Sequence, residues 1–234
     1  MPVIIEWPDF FSSPNFESWQ ELNCSRTLQP RFQREVREMH EFALEEKLVQ
    51  PRLAYSAIRV VNIAADCIRL ENGIELSEAS EIADKFSAAD ELIVVVGTIG
   101  EGLEKAIAKM FQSKQAIKAL ALEEVSVAAI FEFTNAVLSS IDDFAQTRKL
   151  AASSPIYPGH GSFGIEQQRR VFDLAGGEEI GMRVLKTDML FPAKSISLVF
   201  GLGQNLPRWN RKKDCETCKA RERCRFRTPE SLAA

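Results

Sequence analysis

Tyr157-Pro158-Gly159-His160-Gly161-Ser162-Phe163 leads into Ile165-Glu166-Gln167-Gln168-Arg169-Arg170, and a later run reads Leu190-Phe191-Pro192-Ala193-Lys194-Ser195-Ile196-Ser197. The first is a glycine-rich turn that opens a helix. Turns of this kind expose backbone donors beside a helix N-terminus, where the partial positive charge favours an anion or a carboxylate. The stretch from Pro155 to Gly203 is therefore expected to carry a ligand-facing loop. Ser162 is the candidate cap of a helix that carries Val171, Phe172 and Leu174, and Gly176-Gly177 ends it. Residues 180–190 and 195–202 read as two strands, the second alternating Ser195 and Ser197 with Ile196, Leu198 and Phe200.

Upstream, Glu91-Leu92-Ile93-Val94-Val95-Val96-Gly97-Thr98-Ile99-Gly100 is a continuous apolar run bounded by glycines. That pattern predicts a central strand buried on both faces. Its exit, Gly97-x-x-Gly100-x-Gly102, opens a helix but has neither G-x-G-x-x-G spacing nor a P-loop lysine, so tight strand-to-helix packing is preferred to nucleotide binding. Residues 33–48 carry Val36, Met39, Phe42, Ala43 and Leu48 at helical spacing, with His40 expected on the surface or half-buried, and Pro51 limits the helix. Residues 53–63 are β-rich, and Asn72-Gly73 marks a hairpin turn. Ser77, Ser80 and Glu81 resemble a helix start.

Residues 101–147 are helix-rich with a break at 112–114. One stripe holds Leu103, Ile107, Met110 and Phe111. A longer helix carries Leu120, Val127, Phe131, Thr134, Val137, Leu138 and Ile141, with Ala121, Ser126, Ala128 and Ala129 allowing close packing. Glu123 and Glu124 are adjacent, cannot face one another on a helix, and read as solvated positions.

The chain has 234 residues, 45% of them hydrophobic, which suits one large domain with a substantial core. The expected organisation is an N-terminal arm at 1–30 with Trp7, Phe10, Phe11, Phe16 and Trp19, a body at 31–204, and a basic tail at 205–234. A formal net charge of −4 offers no reason to expect nucleic acid as the main partner. No apolar segment approaches the roughly 20 residues needed to cross a bilayer, and no signal-peptide pattern is present. A cytoplasmic protein without a membrane partner is the expectation. Ser195 and Ser197 lack Asp and His partners at recognisable spacing, which argues against a serine hydrolase.

Three of the five cysteines, Cys215, Cys218 and Cys224, form Cys-x2-Cys-x5-Cys near the C-terminus. The short gap lets two thiolates meet one metal, and Lys212, Lys213, Arg221, Arg223 and Arg225 would lower thiol pKa values. Iron–sulfur ligation, a zinc knuckle and an unmetallated tail all stay open. No fourth ligand is evident: Cys24 is remote in sequence, and Cys67 reads as a small apolar strand residue.

Tyr157-Pro158-Gly159-His160-Gly161-x-Phe163-x-x-Glu166-Gln167-Gln168, with Phe191-Pro192-x-Lys194-Ser195-Ile196-Ser197 and Phe200-Gly201-Leu202-Gly203, resembles the activation domain of cobalamin-dependent methionine synthase. The likeness extends to small stand-alone relatives of that domain and spans residues 30–203. It implies a C-shaped, mixed α/β (α+β) fold whose concave face holds S-adenosylmethionine and presses on a cobalamin-bearing partner. It also implies a part in the reductive methylation of cobalt within a methyltransferase system of methionine biosynthesis, the methyl group coming from the cofactor and the electrons from a separate reductant, such as a reductase. The implied binding residues are Tyr157, Pro158, Gly159, His160, Gly161, Ser162, Lys194 and Ser195. No residue of the chain itself is implied as a catalyst.

Three positions depart from the family pattern. Pro155 stands where an arginine grips the ligand's carboxylate, Lys149 where a carboxylate faces its positive side, and His160 where a tyrosine follows Pro-Gly. Losing a bidentate partner and an opposite charge weakens such binding unless other groups replace them. A rival function therefore stands beside the first: a metal-bearing adaptor or redox protein of the same fold that no longer binds S-adenosylmethionine. His160, between two glycines, reads either as a titrating contact or as a turn residue bonded to backbone. Lys194 reads either as an anion contact or as a solvated strand-start residue.

Overall fold

The computed structural model describes residues 2–6, 30–64, 67–77 and 85–210, with Glu216 and Glu222. The aromatic N-terminal arm at 7–29, the helix start at 78–84 and the tail cysteines lie outside the described residues. In chain order the first elements are β1 (Val3–Glu6), α1 (Pro30–Glu45), β2 (Arg52–Ile63), β3 (Cys67–Leu70), β4 (Glu75–Ser77) and β5 (Glu91–Thr98). Next come α2 (Gly102–Gln112), α3 (Ala116–Thr147) and β6 (Ala151–Ala152). A 3-10 turn (Ile165–Gln167) leads into α4 (Gln168–Ala175), a second 3-10 turn (Gly177–Ile180) follows, and β7 (Arg183–Val184), β8 (Leu190–Phe191) and β9 (Ser195–Gly203) complete the order.

The continuous apolar run becomes β5, the middle strand of an antiparallel sheet ordered β4-β3-β2-β5-β9-β6, with β1 paired to the first half of β2. Its alternation divides the core. Ile93 and Val95 face α1, α2 and α3, where Val36, Met39, Leu103, Leu122, Val125, Phe133 and Val137 are buried. Leu92, Val94 and Val96 face the other side, where α4 places Val171, Phe172 and Ala175 beside Ile156, Phe163 and Met182. With helices on both faces, every residue of β5 from Leu92 to Val96 is fully buried, which is why this part of the strand reads as unbroken apolar sequence rather than as an alternation.

The glycine exit of β5 is explained by contact. A Cβ on Gly102 would collide with the carbonyl oxygen of Leu48, so the start of α2 lies against the chain that leaves α1. This is the packing reading of the glycine pattern. The hairpin at Asn72-Gly73 forms as expected, and β3 and β4 pair across it.

Several expectations are corrected. Residues 180–190 do not form one strand: Gly181 and Asp188 take positive φ, and only Arg183–Val184 and Leu190–Phe191 pair, as a small separate hairpin. Ser162 does not cap the helix. Gly164 and Gln167 occupy the N-cap positions of the 3-10 turn and of α4, without side-chain capping bonds. His40 is only 7% exposed, because α1 turns that residue toward α3 with Met39 and Ala43. Along α3 the deepest contacts run through Ala121, Leu122, Val125, Ala129 and Phe133, while Leu120 is exposed and Val127 and Phe131 are half-buried. The alanine side is the one that approaches the sheet, since small side chains permit the closest helix packing. At the far end of the body, Leu206 is buried and the Trp209 N–H donates to the Ala152 carbonyl at 3.1 Å.

The end of α3 is tied to the start of β5 by a two-armed pair: Arg148 donates to both oxygens of Glu91 at 2.6 and 2.8 Å and lies over the Phe144 ring at 5.4 Å. The hydrogen bond from Arg148 holds the Glu91 carboxyl below its ordinary value of 4.5, against the opposing effect of burial. A depressed carboxyl pKa stabilises the fold above the unfolded value and loses that contribution as the pH falls through the folded one. The Arg148 side chain is 37% exposed, so solvent screening limits the pair to about 0.5–1 kcal/mol. Arg148→Met should lose that amount at neutral pH in urea denaturation, with the gap to the parent closing below pH 4.5. A gap that persists in acid would instead assign the loss to packing on Phe144.

Candidate functional site

The glycine turn is suspended from the open edge of β9. Ala151 and Ala152 pair with Gly203 and Leu202, the Ser153 N–H donates to the Gly201 carbonyl at 2.9 Å, and the Gly201 N–H donates to Ser153 Oγ at 2.9 Å. Ile156 and Val199 then exchange both backbone bonds at 2.9 Å. Because this pairing is antiparallel, the residues after Ile156 run toward the start of β9. The two sequence motifs therefore meet at one end of the sheet.

Within the turn, the His160 N–H donates to the Tyr157 carbonyl at 3.0 Å, the Phe163 N–H to the His160 carbonyl at 3.1 Å, and the Gly159 N–H to the Phe163 carbonyl at 2.7 Å. Gly159 and Gly161 adopt φ of 86° and 62°, which L side chains rarely tolerate. Ile156 and Phe163, both buried, pin the two ends of the loop into the α4-side core. Three backbone donors of the turn are thus consumed internally, contrary to the expectation that they face a ligand. What the turn presents is side chains: Tyr157 and His160 are exposed with ring centroids 6.4 Å apart, edge to face, and Ser162 and Pro158 are half-buried beside them.

Beneath the turn, α4 begins with two buried glutamines. Gln168 Oε1 accepts a hydrogen bond from Ser197 Oγ at 3.0 Å, joining α4 to β9, and Gln167 Oε1 accepts from Arg170 at 3.1 Å. Gln168 Nε2 is buried without a partner among the described residues. The pairing of Ser197 and Gln168 escaped sequence reading because 29 residues separate them and neither belongs to a recognisable polar pattern.

Lys194 and Ser195 are engaged elsewhere. Lys194 Nζ pairs with Glu123 of α3 at 2.6 Å, and its backbone N–H donates to Glu104 Oε1 of α2 at 3.1 Å. Both carboxylates belong to the helical layer opposite α4, so Lys194 faces away from the turn. Glu123 is accordingly a partner of Lys194 and not merely a solvated helix position. Ser195 Oγ donates to the Pro192 carbonyl at 2.6 Å, closing the loop that follows the Phe191-Pro192 cis peptide. Of the departures from the family pattern, Pro155 is buried and Lys149 is exposed with φ of 57° just after α3.

The cysteine ligand set Cys215, Cys218 and Cys224 lies outside the described residues. Among the described residues no group of three or more His, Cys, Asp or Glu side chains is placed to hold a metal. Cys67 lies half-buried in β3.

Removing Ser197 Oγ leaves the Gln168 carbonyl buried without a donor, which costs about 1–3 kcal/mol. Ser197→Ala should show a loss of that size in chemical denaturation. Gln168→Leu combined with Ser197→Ala should recover most of it, because the unpartnered Nε2 disappears with its side chain. Additive losses in the double-mutant cycle would contradict this coupling.

No protein-family model and no curated protein matches the sequence. Among solved structures, the chain is similar to the MetH reactivation domain bound to AdoHcy, with a TM-score of 0.60 and 12% sequence identity over 95% of this chain and 86% of that one. The mixed α/β architecture, an antiparallel sheet with helical layers, is the fold of a methionine synthase reactivation (activation) domain.

Proposed function

We propose that this chain is a reactivation module that supports reductive methylation of cobalt on a cobalamin-bearing partner protein, with S-adenosylmethionine held at the 157–163 turn. The observation that carries this reading is the turn itself. It is rigidly anchored at Ile156 and Phe163, yet it presents Tyr157 and His160 outward at the edge of a sheet whose fold is that of a domain solved with AdoHcy.

The residues present fit such a ligand through hydrogen bonds rather than through an arginine grip. The Tyr157 hydroxyl and the His160 imidazole are the exposed hydrogen-bonding groups for a carboxylate, at a turn where Pro155 offers none. When bound, S-adenosylmethionine supplies the methyl group, and a separate reductant supplies electrons to the partner. The role of this chain is to bind and orient the ligand. The two serines of the Lys-Ser-Ile-Ser run are used structurally, Ser195 bonded to Pro192 and Ser197 to Gln168.

Calorimetry with the full chain tests this. S-adenosylmethionine and AdoHcy should both bind, and His160→Ala should weaken binding about fivefold, the value of one hydrogen bond. No binding, with or without a cobalamin protein present, overturns the ligand assignment.

Pro155 and Lys149 favour a second reading, in which the fold is kept as a metal-bearing adaptor or redox protein without the ligand. A buried proline offers the carboxylate nothing, and an exposed lysine repels a sulfonium. The tail cysteines Cys215, Cys218 and Cys224 are then its working part. Anaerobically purified protein should contain iron or zinc that is lost when Cys215 and Cys218 are both changed to serine. A protein free of both metals would overturn this second reading.

A further inference from the structure

The corner between α2 and α3 gathers positive charge and exposed apolar side chains. From Lys105 to Leu122 the chain holds Lys105, Lys109, Lys114 and Lys118 and no acidic residue. That window carries +4, which leaves −8 on the remainder of a chain whose net charge is −4. Every residue from Phe111 to Lys118 is exposed, and so is Leu120.

Apolar side chains share this corner. Phe111 is 49% exposed, Ile117 56% and Leu120 52%, all within ten residues, whereas Leu103, Ile107 and Leu122 of the same helices are buried. The corner is held in shape from within. Ser113 Oγ donates to the Lys109 carbonyl at 2.8 Å, the Lys114 N–H to Phe111 at 3.1 Å and the Gln115 N–H to Met110 at 2.9 Å, with Lys114 at φ of 60°. Glu101 pairs with Lys105, but the ion pairs among the described residues do not involve Lys109, Lys114 or Lys118.

We propose that this corner is a docking surface for an anionic lipid bilayer, with Phe111, Ile117 and Leu120 entering the headgroup boundary while Lys109, Lys114 and Lys118 meet lipid phosphates. Two features select a bilayer over an acidic protein. All the cations are lysine, which protein interfaces deplete while enriching arginine, and whose flexible stem lies along apolar surface while the ammonium reaches outward. The apolar groups also sit on a helical corner whose residues are exposed from Phe111 to Lys118, a surface open to contact with a soft lipid face. The charge on the remainder of the chain does not prevent this approach, because repulsion beyond about 8 Å is screened at physiological salt. The expectation that the chain has no membrane partner rested on the lack of a spanning segment and of a signal-peptide pattern. Neither bears on a local basic and apolar patch.

The test is sedimentation of the full chain with vesicles of phosphatidylcholine alone and of phosphatidylcholine containing phosphatidylglycerol. Binding should require the anionic lipid and fall as salt rises. Each lysine near a lipid surface contributes about fivefold, so Lys109→Glu, Lys114→Glu and Lys118→Glu combined should lower affinity by at least about a hundredfold. Phe111→Ser with Leu120→Ser should weaken binding at unchanged charge. Lys85→Glu with Lys186→Glu, both exposed and elsewhere in the fold, should leave it within about twofold of the parent. Thermal unfolding confirms that each variant is folded. The proposal is overturned by equal binding to both vesicle types, by no binding, by indifference to the corner lysines, or by displacement of anionic vesicles by polyglutamate at equal charge concentration, which would identify an acidic protein surface as the better occupant.

Discussion

The structure depends on the two-sided burial of β5. Each rung of this strand is bonded to β2 on one side and to β9 on the other, and its alternate side chains enter two separate cores. Burying backbone polar groups is tolerable only when they are paired, and the central position in the sheet pairs them along the strand. Fully buried aliphatic side chains on both faces then draw α1, α2 and α3 to one side and α4 to the other, each Val or Ile contributing about 1.5–3 kcal/mol relative to exposure. β9 inherits the same constraint as the neighbour of β5, and its far edge becomes the support for the glycine turn.

That dependence explains why the turn can be both irregular and fixed. Its conformation requires left-handed glycines and leaves little regular backbone bonding, yet Ile156 on one side and Phe163 on the other are set in the α4-side core. The side chains of Tyr157 and His160 between them are displayed at the surface of that scaffold. Functional groups are commonly found on loops held in this way. The bond between Ser197 and Gln168 sits just beneath, joining the strand that supports the turn to the helix that follows it.

The polar contacts that fasten the layers are all remote in sequence. Arg148 and Glu91 lie 57 residues apart, Lys194 and Glu123 lie 71 apart, and Lys194 and Glu104 lie 90 apart. Each joins an end of α2 or a position on α3 to an end of the sheet or to the loop that enters β9. A charged side chain on a helix has no periodic signature that distinguishes such a partner from a solvated residue. Glu123 could therefore be read as a surface position, although it holds the one lysine of the Lys-Ser-Ile-Ser run.

Local pattern alone determined β2, β5, β9, the Asn72-Gly73 hairpin, α1 and the division between α2 and α3, because apolar periodicity and turn chemistry are set by neighbouring residues. The likeness of the 157–168 and 191–203 motifs to an activation domain points to the same fold. What only the tertiary structure decided is direction. It decided that Lys194 faces the helical layer, that the N–H groups of Gly159, His160 and Phe163 are used inside the turn, and that α3 buries its alanines while Leu120 stays outside. Direction depends on which long-range partner occupies each face, and a side chain's own sequence neighbourhood does not contain that partner.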